Sequence, residues 1–202
     1  MQTLTTLLVC ALAVAGSAQT SLKTFTSPDG VFRFQYPDVL INCMSPQNST
    51  SGSCMSQGGI CIGPGSEGAT LACFAYPNER FKDKPSFVTA TFYVSEIQAA
   101  TVEKACLEKS PNWYVISSKA STTTINHVIF ETFEIGDNWT SGGQYGPVYR
   151  TFHDGKCYEL GIQNVISRAE YDPGTVKEFT KKDSFEVESR LRQALNSFVF
   201  LK

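Results

Sequence analysis

The sequence predicts an α+β fold: a mostly antiparallel sheet, one helix in the middle of the chain and an amphipathic helix near its C-terminus. Short runs of aromatic and β-branched residues recur between clusters of Gly, Pro, Asn and Asp, the pattern of strands joined by turns. Two segments instead space their apolar residues at three and four positions, the period of a helix face. Hydrophobic residues make up 42% of the 202, with 14 Phe and 8 Tyr, enough apolar surface to pack a single domain.

The stretch "SPDGVFRFQYP" (27–37) opens the fold. Phe32, Phe34 and Tyr36 alternate with Arg33 and Gln35 and share one face of a strand. Pro28, Asp29 and Gly30 supply the turn before it, and Pro37 ends it by removing a ladder donor, so the stretch reads as the hairpin of a small sheet. Residues 45–68 are rich in Ser, Gly, Asn and Pro and predict a long loop carrying two cysteines. Runs at 69–76 and 86–97 predict neighbouring strands. A helix over 98–109 buries Cys106, with Val102 and Ala105 beside it, and Ser110-Pro111 stops it.

"WYVIS" (113–117) and "INHVIFETFEI" (125–135) predict further strands, and the turn-rich residues 136–146 connect to "PVYRTF". Asp154-Gly155 stands between two strand-like runs and predicts a type I′ hairpin, because both central residues tolerate positive φ. Asp183 or Ser184 caps a last helix running to about Asn196, with Val187, Leu191, Ala194, Leu195 and Phe198 as its buried stripe. "SFVFL" closes the chain as a short strand.

Residues 1–18 read as a secretory signal peptide, an apolar run followed by Gly16, Ser17 and Ala18, although no Lys or Arg precedes the run. The domain is then 19–202, secreted or periplasmic, with no stable membrane span after cleavage, since a span needs about 20 apolar residues. Acylation at Cys10 is disfavoured by bulky Val9 before it. Loss of Cys10 leaves Cys43, Cys54, Cys61, Cys73, Cys106 and Cys157, an even set suited to disulfides in an oxidising compartment. Spacing does not choose among their pairings. The expected set is Cys54–Cys61 within the loop, Cys43–Cys73 across its base, and Cys106–Cys157 tying the middle helix to the sheet. No pair has the short spacing of a zinc knuckle or a redox C-x-x-C, so neither a metal nor a cofactor is expected.

The charge balance is 17 basic to 19 acidic residues, net −2, which gives no footprint for nucleic acid. "GPGSEG" (63–68) matches a dinucleotide fingerprint in letters only, with Asp83 at the expected distance. It follows a cysteine loop and precedes a strand, whereas pyrophosphate needs a helix N-terminus there. Ser66 fails as a nucleophile elbow because Pro64 occupies the first glycine position and no helix follows. His127 and His153 are the only histidines; the first falls in a strand-like run with Ile125, Ile129, Glu131 and Phe133, and the second abuts the Asp154-Gly155 turn. Trp139 and Tyr145, in the turn-rich 136–146 segment, are the candidate ligand-binding residues, since exposed rings stack on sugars and apolar peptides. Asn48 and Asn138 head N-x-S/T sequons.

"FTSPDGVFRFQYPDVL" (25–40) resembles the opening of PsbP-like proteins, in which a turn leads into an aromatic-alternating strand ending in Tyr-Pro. The order of the later runs is similar to that family as well. The resemblance implies an antiparallel sheet covered by helices in an α/β/α sandwich, and it transfers no functional residue. Asp38-Val39-Leu40 stand where the family often has an aromatic residue, and the six cysteines are foreign to it.

The function these readings predict is noncatalytic binding of an extracellular protein, glycan or small ligand. The alternative is a secreted hydrolase whose acidic or serine residues meet only in three dimensions, with His127 or His153 as base.

Overall fold

A computed structural model describes residues 21–48, 51–55, 61, 69–108, 121–167 and 176–201, without the side chains of Met55, Glu108 and Trp139. β1 (Leu22–Thr26), β2 (Phe32–Pro37) and β10 (Val199–Phe200) form a small sheet in the order β1-β2-β10. The large sheet contains β3 (Ile41–Asn42), β4 (Ala69–Ala75), β5 (Phe87–Glu96), β6 (Ser121–Ile125), β7 (Val128–Trp139), β8 (Gly142–His153) and β9 (Lys156–Ser167). Its order is β3-β4-β5-β9-β8-β7-β6, and the strand pairs of both sheets are antiparallel. Among the described residues there are three α-helices, α1 (Gly52–Met55), α2 (Glu103–Glu108) and α3 (Lys181–Asn196), and a short 3-10 helix over Asn78–Phe81.

The small sheet and α3 cover one face of the large sheet. Alternation in β2 sends Phe32 and Phe34 inward, and Phe34 meets Phe92 at 5.1 Å and Phe74 at 5.3 Å, both edge-on. The α3 stripe of Val187, Leu191, Ala194 and Leu195 is buried in the same core, as its spacing predicts. Thr180, rather than Asp183 or Ser184, caps this helix. Its extended backbone lets Thr180 Oγ1 accept from the Asp183 N–H at 3.3 Å, while Asp183 accepts from the Thr180 N–H at 2.8 Å. Asp183 is thus the third residue of a capping box.

The opposite face of the large sheet carries α2. Cys106 and Cys157, both fully buried, join α2 to β9, the pairing the sequence suggests, and Ile97 and Ala100 pack against them. The helix begins at Glu103 instead of 98, because the turn before it carries Ala100 into this cluster. The other two bridges correct the sequence expectation: Cys43 joins Cys54, and Cys61 joins Cys73. Cys54 lies within α1, and this short helix places it beside Cys43.

The run at 125–135 is not one strand. Asn126 and His127 take φ of 46° and 71° and form the turn between β6 and β7. Asn126 Nδ2 donates to the carbonyls of Asn196 (2.8 Å) and Phe198 (2.9 Å), so the end of α3 holds this turn in place against the local alternation. His127 therefore sits at a turn and not on a strand face. Residues 136–146 are strand rather than loop, with β7 and β8 continuing to a turn at Thr140-Ser141. The Asp154-Gly155 turn forms as expected, with φ of 46° and 76°. The run at 113–117 and most of 56–68 lie outside the described residues. No helix among the described residues is long and apolar enough to cross a membrane.

Candidate functional site

Tyr145 lies on β8 opposite Asn164 of β9, on the sheet face that α3 covers. Its neighbour Gly146 is irreplaceable on steric grounds: a Cβ there meets the Ile162 carbonyl oxygen at 1.8 Å, so only glycine lets β8 lie this close to β9. The Tyr145 side chain lines a pocket of about 250 Å³ at the start of α3. Phe179 and Ile166 give this pocket apolar surface, and Phe179 is itself fixed by rings at 4.8 Å (Phe87) and 5.1 Å (Phe81). Ser86, Ser167, Thr180, Lys181 and Ser184 complete its lining; of their hydroxyls, that of Thr180 is engaged with Asp183 in the capping box and that of Ser167 donates to the Ser141 carbonyl at 3.5 Å.

The pocket is built on rigid elements. Lys84 bonds Asp183 at 2.5 Å, tying α3 to the chain before β5. That bond, with those from Thr180, holds the Asp183 carboxyl down at about 2. Trp139, the other candidate, pairs through its backbone with Gly142 at the far end of the hairpin; its ring is outside the described atoms. Neither histidine is among the described residues lining the pocket. His153 instead stacks on Phe200, 3.7 Å between ring centres.

Two further groupings were not read from the sequence. Beyond the pocket, α3 and the sheet bring together Glu134, Tyr149, Glu188 and Arg192. Arg192 donates to Glu188 at 2.7 Å and to the Tyr149 oxygen at 3.4 Å. Burial raises the Tyr149 phenol; partial burial raises the solvent-accessible Glu134 carboxyl, with Arg192 opposing and Glu188 reinforcing the shift. On the opposite face, Arg150 and Glu159 form an ion pair at 2.7 Å, with side chains 2% and 0% exposed, and Tyr93 donates to Glu159 at 3.0 Å. Desolvation pushes the Glu159 carboxyl up despite the guanidinium beside it, and pushes the Tyr93 phenol up further. The Tyr93 ring lies over Gly161, where a Cβ meets it at 2.3 Å. On this face the buried Ser95 Oγ and Gln163 Oε1 have no hydrogen-bond partner among the described residues.

The Arg150–Glu159 pair was within reach of the sequence. A two-residue turn at Asp154-Gly155 sets the register of the hairpin, and counting back places Arg150 directly opposite Glu159 on one face. The α3 grouping had no such signal, because Glu134 and Arg192 are distant in sequence and meet only through packing.

Neither a family model nor a curated protein matches the sequence. Solved structures similar in fold include a protein from Bacteroides thetaiotaomicron VPI-5482, at 12% identity and a TM-score of 0.44 over 89% of this chain. This chain spans 48% of that protein, about half its length. Cyanobacterial PsbP from Synechocystis sp. PCC 6803 matches at 17% identity and a TM-score of 0.39, over 96% of this chain and 98% of its own. The Ran-binding protein Mog1p from Saccharomyces cerevisiae matches at 10% identity and a TM-score of 0.45, over 91% and 97%. These likenesses, each with a TM-score below 0.5, assign no activity to this chain.

Proposed function

We propose that this chain is an exported, disulfide-stapled, noncatalytic binding domain, and that it holds a short carbohydrate in the pocket at Tyr145. One observation carries the reading: an accessible aromatic ring stands beside Ser86, Ser184 and Lys181 in a pocket of about 250 Å³. A sugar presents an apolar C–H face to such a ring and hydroxyls that both donate and accept toward serines and threonines. The three disulfides support an oxidising compartment, where such bridges persist.

The test is binding of the mature chain to a panel of immobilised di- to tetrasaccharides, followed by titration of the best binder against Tyr145→Ala. Aromatic contacts contribute about 0.5–1.5 kcal/mol, so affinity should fall roughly twofold to thirteenfold, with Ser86→Ala additive to it. Binding that survives Tyr145→Ala unchanged contradicts the site, and a panel with no binder contradicts the ligand class. Glu134 favours the second reading, hydrolysis, because a raised carboxyl suits a general acid. That reading requires release of reducing sugar by the wild type and its loss in Glu134→Gln.

A further inference from the structure

The sulfurs of two different bridges crowd together at the base of the 45–68 loop. Sγ atoms of Cys43, Cys61 and Cys73 all lie within 4.8 Å of one another, although Cys43 is bonded to Cys54 and Cys61 to Cys73. Cys43 and Cys73 are also backbone neighbours. Beyond the β3–β4 pairs Ile41–Ala75 and Asn42–Phe74, the Cys43 N–H donates to the Cys73 carbonyl at 2.9 Å. The cross-strand position that a Cys43–Cys73 bridge requires is therefore already formed, with those bonds directed elsewhere.

We propose that these four cysteines form a thiol-responsive site, at which a small exogenous thiolate converts the pairs Cys43–Cys54 and Cys61–Cys73 into Cys43–Cys73 and Cys54–Cys61. The thiolate attacks Cys54 Sγ, the S–S bond to Cys43 breaks, and Cys43 leaves as a thiolate while Cys54 carries a mixed disulfide. The Cys43 thiolate attacks Cys73 Sγ close beside it, forming Cys43–Cys73 and expelling the Cys61 thiolate. Cys61 then attacks Cys54 Sγ, closing Cys54–Cys61 and returning the small thiolate. Two disulfides enter and two leave, so no net oxidant or reductant is consumed.

Chain entropy scarcely opposes the exchange. The present bridges span 11 and 12 positions, the exchanged ones 30 and 7 by sequence, and the closure cost grows only with the logarithm of loop length. Access favours this site over the third bridge: Cys43, Cys54 and Cys61 are half-buried and the 0% exposed Cys73 is reached only from Cys43 beside it, whereas Cys106 and Cys157 are both 0% exposed. The consequence is a loop tethered in one of two ways, as two side-by-side rings or as one ring nested in another.

The test incubates the native mature chain with a mixture of reduced and oxidised glutathione at pH 8, then quenches in acid and blocks thiols. Cyanogen bromide cleaves after Met44 and Met55, and glutamyl endopeptidase at acid pH cleaves after Glu67, which puts the four cysteines on four separate fragments. The expected result is growth of the 43–73 and 54–61 linked fragments together, with Cys106–Cys157 unchanged. A C54S/C61S variant should close Cys43–Cys73 in air and keep the native circular dichroism spectrum. Retention of the original pairs under conditions that leave the fold intact overturns the proposal, as does reshuffling of Cys106–Cys157 at the same rate. Free thiols at 43 and 73 in a folded C54S/C61S chain overturn it as well.

Discussion

Removing the bridge between α2 and the sheet tests how this domain is held together. Cys106 and Cys157 are 51 positions apart in sequence, against 11 for Cys43 and Cys54. The loop-closure relation gives about 4 kcal/mol for the long bridge and about 3 kcal/mol for the short one at room temperature. Packing widens this gap. α2 has only six residues, too few to persist as an isolated helix, and its buried contacts are grouped around the bridge with Ile97 and Ala100. Cys106→Ala/Cys157→Ala, which avoids burying two hydroxyls, should therefore lose at least about 4 kcal/mol, out of a total that is commonly 5–15 kcal/mol for a domain. Equilibrium urea unfolding of this variant, Cys43→Ala/Cys54→Ala and the wild type measures both losses. A smaller loss for the 106/157 variant than for the 43/54 variant refutes the reasoning.

The buried ion pair and the helix cap make two further predictions. Glu159→Leu should cost about 3–5 kcal/mol, because it strips the carboxylate from a buried guanidinium and from Tyr93, whereas Arg150→Met/Glu159→Leu should cost less than the single change. Urea titration of the two variants checks this, and a double variant at least as unstable as Glu159→Leu contradicts it. Asp183, held at about 2 against an ordinary 3.8, supports the folded state fully above about pH 4 and loses that support as pH falls toward 2. Asp183→Asn should flatten this part of the stability-pH curve, read from thermal melts between pH 2 and 6, and an unchanged acid slope contradicts the assignment.

Elements with a strong local period were legible in the sequence. Phe32, Phe34 and the α3 stripe are where alternation and helical spacing put them, because each pattern matches the one face available for burial. The Asp154-Gly155 turn was legible because its conformation is a property of two residues. Legibility failed where distant chain decides. Nothing near Asn126 announces that its carboxamide will bind the end of α3, and that anchor turns an apparent strand into a hairpin. The Gly-rich 136–146 segment lacks strand propensity, yet Gly143 and Gly146 sit where a side chain meets neighbouring atoms, so close strand packing selects glycine there. The cysteine pairing failed in an instructive way: Cys43 and Cys73 are indeed neighbours across the loop base, but Cys43 is bonded to Cys54 of α1. Of the two candidate binding residues, Tyr145 has a pocket beside it only because α3 arrives there, which its own neighbourhood does not encode.

The most direct test of the carbohydrate site is amide chemical-shift mapping of the isotopically labelled mature chain during titration with the best-binding saccharide. Shifts concentrated at Tyr145, Ile166, Phe179 and Ser184 are the predicted result. Shifts concentrated instead at the pocket of Thr24, Arg33, Gln35 and Asn126, on the far side of β2, contradict it.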